Sequence, residues 1–153
     1  MTRPIRRPTS WFAWAAGALL VITAASAAEP TPKPILPGSL VWSSPSAMPE
    51  LSSAWVLGSD SSPGTYVLRV RLAADARIPP HTHPDERYTI VLDGTLYVGF
   101  GTAFDPDRVV AIPKGGVYVA PANVPHFVWA RDGNVEYQEA GVGPTGTQFL
   151  PNP

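Results

Sequence analysis

The chain has 153 residues, 11 of them basic and 12 acidic, and a formal net charge of −1. This length predicts one domain, and the lack of a basic surplus argues against a nucleic-acid-binding surface. The sequence contains no cysteine, which excludes disulfides, thiolate nucleophiles and iron–sulfur clusters. Thirteen glycines and nineteen prolines favour short strands joined by tight turns.

Residues 1–28 have the layout of a secretory signal peptide. Three arginines lie within the first seven residues, an uncharged apolar run follows, and small residues near Ala27 and Ala28 suit signal peptidase. Cleavage there would leave about 125 residues, enough for one domain. This pattern predicts a periplasmic or secreted protein with no stable membrane insertion after cleavage. The alternative is an uncleaved anchor, because the uncharged stretch approaches the ~18 residues of a membrane span.

Two further segments follow the signal peptide. Residues 29–50 are rich in proline near their start and are predicted to form an extended linker and N-terminal extension. Residues 51–153 are predicted to form the folded domain. Within it, residues 65–72 alternate between apolar and polar side chains, as expected of a strand.

Short strand-like segments continue to the end of the chain, and no segment in the domain has helical periodicity. The predicted strands after residue 72 are 88–92, 95–100, 109–112, 117–120, 127–130, 135–139 and 146–150. Asp93-Gly94 and Asp132-Gly133-Asn134 separate pairs of these strands and indicate hairpins. Many short strands at this spacing predict an all-β antiparallel sandwich or barrel.

The three histidines of the chain lie in two short segments. His81 and His83 flank Thr82 in a segment bounded by prolines, and His126 follows Pro125. Neutral imidazole is the commonest metal ligand, and a His-x-His pair on an extended strand points both rings to one side. The pattern therefore predicts one divalent metal ion, although each histidine could be an ordinary loop residue. Zinc, manganese and iron all suit such ligands.

These two segments resemble the two motifs of the cupin superfamily. The first motif runs from His81-Thr82-His83-Pro84-Asp85-Glu86 to Gly94, and the second runs from Gly116 through Pro121 to His126. The resemblance implies a double-stranded β-helix, or jelly-roll barrel, that holds one metal through three histidines and one carboxylate. It also implies a small-molecule ligand or substrate and a homodimer, although some cupins bind no metal.

The carboxylate is the least regular part of the resemblance. In the usual spacing the glutamate lies seven residues before the closing glycine, which is the position of Arg87 here, so Glu86 is one residue early. Strand alternation places Glu86 with Tyr88 and Ile90 on the more apolar face, which suits a barrel lumen, and a bulge would absorb the shift. Asp85, or a water molecule, is the alternative fourth ligand. The predicted metal ligands are His81, His83, Glu86 and His126.

Two classes of function remain open from the sequence. The first is a metal-dependent enzyme, with dioxygenase-like, isomerase-like or hydrolytic chemistry on a small organic molecule. The second is a non-enzymatic module that senses or sequesters a metal or a small ligand. The lack of an obvious general acid or base beyond the metal ligands keeps this second class open. A Ser-His-Asp hydrolase is disfavoured, because every histidine is already assigned to the metal.

Overall fold

The computed structural model describes residues 33–151. Residues 34–151 belong to one compact unit, and the predicted signal peptide lies outside the described residues. No helix between residues 33 and 151 has both the length and the apolar character needed to cross a membrane.

The described residues form two five-stranded antiparallel sheets that face each other. A 3₁₀ helix at Pro37–Ser39 precedes ten strands: β1 (Leu51–Leu57), β2 (Gly64–Leu72), β3 (Arg77–Thr82), β4 (Arg87–Asp93), β5 (Thr95–Phe100), β6 (Val110–Pro113), β7 (Val117–Ala120), β8 (His126–Trp129), β9 (Val135–Gly143) and β10 (Gln148–Phe149). One sheet has the order β1-β2-β9-β4-β7 and the other β10-β3-β8-β5-β6. The predicted all-β jelly-roll barrel is confirmed.

The two turns predicted as hairpins instead connect the two sheets, so both hairpin predictions were wrong. β4 and β5 flank Gly94 but belong to different sheets, and the same is true of β8 and β9. Gly94 has a φ of 76° and Gly133 a φ of 141°, so each glycine provides the conformation that a tight turn needs. A turn-forming sequence fixes the local reversal of the chain but does not decide whether its flanking strands pair.

The barrel interior is apolar at one end and polar at the other. Val91, Val128 and Val135 are each at most 3% exposed, and burial of such a side chain contributes roughly 1.5–3 kcal/mol. Moving along β4 and β9, which pair Val91 with Tyr137 and Thr89 with Glu139, the inward-facing residues change from apolar to polar. The polar end is where the candidate site lies.

Part of the predicted linker packs on the barrel. Ser43 pairs with Ser53 of β1 in an isolated bridge. The guanidinium of Arg71 lies 3.8 Å from the ring centroid of Trp42. The segment that follows this bridge reaches the polar end of the barrel, where Pro45 and Met48 contact the interior cavity.

Candidate metal centre

The three histidines converge at the polar end of the barrel, as predicted. His81 in β3 is paired with His126 in β8, and His83 follows directly after β3. Their ring centroids lie 4.3 to 5.1 Å apart, and one ligand atom from each lies within 4.8 Å of the others. All three side chains are buried, with exposures of 4%, 3% and 1%.

Backbone carbonyls fix the tautomer of all three imidazoles. The Nδ1 atoms of His81, His83 and His126 lie 2.7, 2.7 and 3.1 Å from the carbonyl oxygens of Pro79, Gly146 and Val124. A carbonyl oxygen can only accept a hydrogen bond, so each Nδ1 carries the proton. Each neutral ring therefore keeps its lone pair on Nε2, as in metal-ligating histidines whose other nitrogen is held by an outer partner.

The protein environment keeps these imidazoles neutral. Burial lowers the pKa of His81 to about 4 and that of His83 to about 3. Burial also lowers the pKa of His126, and the nearby positive charge of Arg87 acts in the same direction on all three rings. At neutral pH all three side chains are neutral imidazoles, and Nε2 of each is free to bind a metal.

Glu86 does not lie with the histidines, and the prediction that it faces the lumen was wrong. Its side chain is exposed and accepts a hydrogen bond from the hydroxyl of Tyr88. The inward face of β4 instead carries Arg87, Thr89 and Val91, which are 5%, 0% and 1% exposed. Among the described residues, the group that could hold a metal comprises the three histidines alone.

The wrong prediction of which face of β4 points into the barrel has a physical explanation. Tyr88 and Ile90 form an apolar outer surface and are 54% and 37% exposed. They lie opposite Val119 and Val117 of β7. Because the outer face of this strand is as apolar as an interior face, alternation of hydrophobic residues alone could not show which face points inward.

Arg87 occupies the lumen because its charge is paired there. Its Nη1 donates to Glu139 Oε2 at 2.8 Å. Its Nη2 donates to Thr145 Oγ1 at 2.8 Å and to the carbonyl oxygen of Gly146 at 3.0 Å. The Arg87 and Glu139 side chains are only 6% and 7% exposed, and an isolated charge buried this deeply would cost several kcal/mol. The glutamate ligand position of the cupin motif is thus filled by a salt-bridged arginine.

Asp85, the alternative fourth ligand, is engaged elsewhere. Its two oxygens accept hydrogen bonds from the hydroxyls of Tyr66 and Thr145, both at 2.5 Å. Burial and the Asp85 hydrogen bond raise the pKa of Tyr66 to about 12, so the phenol stays protonated as a donor. Through Thr145 and Gly146 this network supports the loop that holds both Arg87 and His83.

A cavity of about 220 Å³ adjoins the histidines. Its polar wall consists of two of the histidines, the arginine and a glutamate, and the rest is mainly apolar. The polar residues are His81, His83, Arg87 and Glu139, with the hydroxyl residues Ser53 and Thr147, and the apolar ones include Leu51, Leu68, Ile78, Tyr137 and Phe149. Small-molecule sites have the same kind of lining, mainly apolar with a few polar groups, but are commonly larger, at roughly 300–1,000 Å³.

Glu139 is a functional candidate that sequence reasoning missed, although a signal was present. Along β9, Val135 and Tyr137 are apolar, and alternation places Glu139 on the same face as both. That face is buried, with Val135, Tyr137 and Glu139 at 3%, 2% and 5% exposed. An acid continuing an apolar face is a signal for a buried carboxylate, which must be paired or functional.

Solved structures with the same fold include the polyketide cyclase RemF from Streptomyces resistomycificus. It matches with a TM-score of 0.66 and 14% identity over 80% of this chain and 88% of that one. KdgF from Halomonas sp. matches with a TM-score of 0.59 and 17% identity over 73% and 94% of the two chains. At these identities the likeness shows the fold.

Curated relatives are found among plant germin-like proteins. Germin-like protein 8-2 from Oryza sativa subsp. japonica is 43% identical over 68 residues, which cover 42% of this chain and 30% of the rice protein. Germin-like protein subfamily 1 member 10 from Arabidopsis thaliana is 37% identical over 67 residues, with the same coverage. The chain spans about a third of the length of such relatives. The protein-family model described as Cupin matches residues 49–152, and this chain therefore belongs to the cupin family.

Proposed function

We propose that this protein is a periplasmic or secreted cupin that binds one divalent metal ion through Nε2 of His81, His83 and His126. One observation carries the proposal: three buried imidazoles converge, and a backbone carbonyl holds the Nδ1 of each. The donor set fits a divalent zinc or iron ion better than manganese, because all three ligand atoms are imidazole nitrogens and manganese favours carboxylate oxygens.

A metal held by three protein ligands supplies Lewis acidity and open coordination positions for a small molecule. The chain's own residues would bind and orient that molecule. The apolar cavity wall excludes water from it, and the Arg87–Glu139 pair provides polar partners beside it. Because no carboxylate ligand neutralises the ion, an anionic or oxygen-bearing ligand is the favoured occupant.

An enzyme is the favoured class of function, with isomerase-like chemistry ahead of oxygenation. The buried carboxylate of Glu139 in the cavity supplies the acid–base group that the sequence alone did not reveal. A binding module that sequesters a metal or small ligand is the second candidate. It is favoured by the small cavity volume of about 220 Å³.

The metal site is tested by the metal content of purified variants. His126→Ala removes one of three ligands, so the variant should lose most of its bound metal, as measured by elemental analysis. Glu86→Gln is the matched control, because that side chain is exposed and hydrogen-bonded to Tyr88. It should keep the metal content of the wild type. Equal metal content in the wild type and His126→Ala would overturn the proposal.

We also propose that the protein forms a homodimer through the apolar outer face of β4 and β7. Tyr88, Ile90, Val117 and Val119 of these strands are all exposed, from 37% to 60%. They form pairs across the two strands, and β7 is the edge strand of its sheet. A contiguous apolar patch on a sheet edge is costly in water and favours association.

A further inference from the structure

Glu139 is a carboxylate that takes no part in holding the metal but lies against the same cavity. It stands on the inward face of β9, is 5% exposed and lines the cavity together with His81 and His83. Its Oε2 accepts the hydrogen bond from Arg87 at 2.8 Å. Its Oε1 accepts no hydrogen bond from any residue between 33 and 151.

We propose that Glu139 is a catalytic residue that takes a proton from a small carbonyl compound, which the metal would hold beside this cavity, and returns it at a different atom. This inference rests on the proposed function. The step breaks a C–H bond next to the carbonyl, its proton goes to Glu139 Oε1, and its electron pair moves into the carbonyl to give an enolate. Return of the proton to another carbon or to oxygen completes an isomerisation. No oxidant, reductant or second substrate is needed.

No other ionisable group lining this cavity can take the proton, and the hydroxyls of Ser53 and Thr147 are not bases. Each imidazole donates through Nδ1 to a carbonyl and offers its Nε2 to the metal. The guanidinium of Arg87 offers hydrogen-bond donors and no acceptor, so it cannot take a proton. Burial and the charge of Glu139 raise the pKa of Tyr137 well above its ordinary value, so the phenol is neutral.

Arg87 acts as a positioning residue for this carboxylate. It fixes Oε2 by one hydrogen bond and is itself fixed by Thr145 and Gly146, so Oε1 remains the free oxygen. Burial raises the pKa of Glu139 while the charge of Arg87 opposes the rise. A carboxylate with a raised pKa is a better proton acceptor than one in water.

Acetohydroxamic acid is a suitable probe, because it binds metals as an anion after losing one proton. We would add it to the zinc-loaded protein at neutral pH and record infrared difference spectra. If Glu139 accepts the proton, a band of one protonated carboxyl group appears on binding. The band should be absent from Glu139→Gln and present in Glu136→Gln. Glu136 is a matched control, because it lies on the outward face of the same strand and forms an ion pair with Arg71.

A second measurement covers the case in which Glu139→Gln does not fold. Calorimetric titration of the wild type in two buffers of different ionisation enthalpy counts the protons released to solvent. The inference expects a release near zero together with the carboxyl band, because the proton stays on Glu139. A release near zero without that band would place the proton on another acceptor, such as displaced hydroxide, and would overturn the role of Glu139. Binding with about one proton released and no carboxyl band overturns the role of Glu139 alone. Failure of the zinc-loaded protein to bind the probe overturns the open metal site, and with it the proposed function.

Discussion

At the scale of single residues, the main departure from the cupin motif is that a buried ion pair occupies the position of the carboxylate ligand. Arg87 stands where the motif has glutamate, and its partner Glu139 comes from another strand. The two charges are stable in the lumen only together, because each removes the desolvation cost of the other. The pair leaves the three histidines as the only candidate metal ligands within the described part of the chain.

Removal of one partner of the Arg87–Glu139 pair should therefore destabilise the fold. Arg87→Met leaves Glu139 buried without its partner and should lower the free energy of unfolding by about 3–5 kcal/mol. The double variant Arg87→Met/Glu139→Leu should recover most of this loss, because no unpaired charge remains. Urea unfolding of the metal-free proteins measures both effects.

The exposed pair of Arg71 and Glu136 provides the control. Its side chains are 49% and 23% exposed, so Arg71→Met should lower the stability by only about 0–1 kcal/mol. A double variant as unstable as Arg87→Met would contradict the argument, because the loss would then not come from an unpaired charge.

At the scale of secondary structure, the sequence predicted most strands but not the way they connect or face. The proline- and glycine-bounded segments marked the strand positions well, since turn residues report local backbone geometry. The hairpins at Gly94 and Gly133 were wrong because pairing partners depend on the whole barrel. The inward face of β4 was wrong because Tyr88 and Ile90 make its outer face apolar as well.

The apolar outer face of β4 and β7 provides a test of the proposed homodimer. Val119→Lys places a charge on this face, where Val119 is 41% exposed, and should shift the protein from dimer to monomer. Val110→Lys is the matched control, because Val110 is 64% exposed but lies on β6 in the other sheet. Light scattering after size-exclusion chromatography measures the mass. A monomeric wild type would rule out the dimer.

At the scale of the whole molecule, the fold class and the three histidines could both be predicted from two short motifs. Barrel closure brings residues 81 and 126 together, and that closure follows from the family resemblance rather than from local pattern. The partner of the histidines could not be predicted, because Arg87 is tolerated in the lumen only through Glu139, fifty-two positions later in the chain. Only the folded barrel brings these two charges together.

The neutral histidines make the stability of the metal-free protein depend on pH. The pKa of His81 is about 4 and that of His83 about 3 in the fold, against ~6.5 in the unfolded chain. Below about pH 6.5 the unfolded state binds more protons than the folded state, so the free energy of unfolding falls as the pH drops from about 6.5 toward 4. Each imidazole contributes a slope of up to about 1.4 kcal/mol per pH unit.

Glu139 opposes this loss of stability at low pH, because its pKa is raised in the fold. It is a single group, however, whereas three imidazoles act in the other direction. Denaturant unfolding at a series of pH values measures the net slope. His126→Gln should show a shallower slope than the wild type. A stability that is flat or rises as the pH falls through this range would show that the imidazoles are not buried as neutral rings.

The ligand set of the bound metal tests the central claim most directly. X-ray absorption spectroscopy of the zinc-loaded protein counts imidazole ligands from their multiple-scattering signature. We expect three imidazoles in the wild type and an unchanged spectrum in Glu86→Gln, because Glu86 is exposed and faces away from the histidines. A zinc ion with fewer than three imidazole ligands, or a ligand lost in Glu86→Gln, would contradict the three-histidine centre.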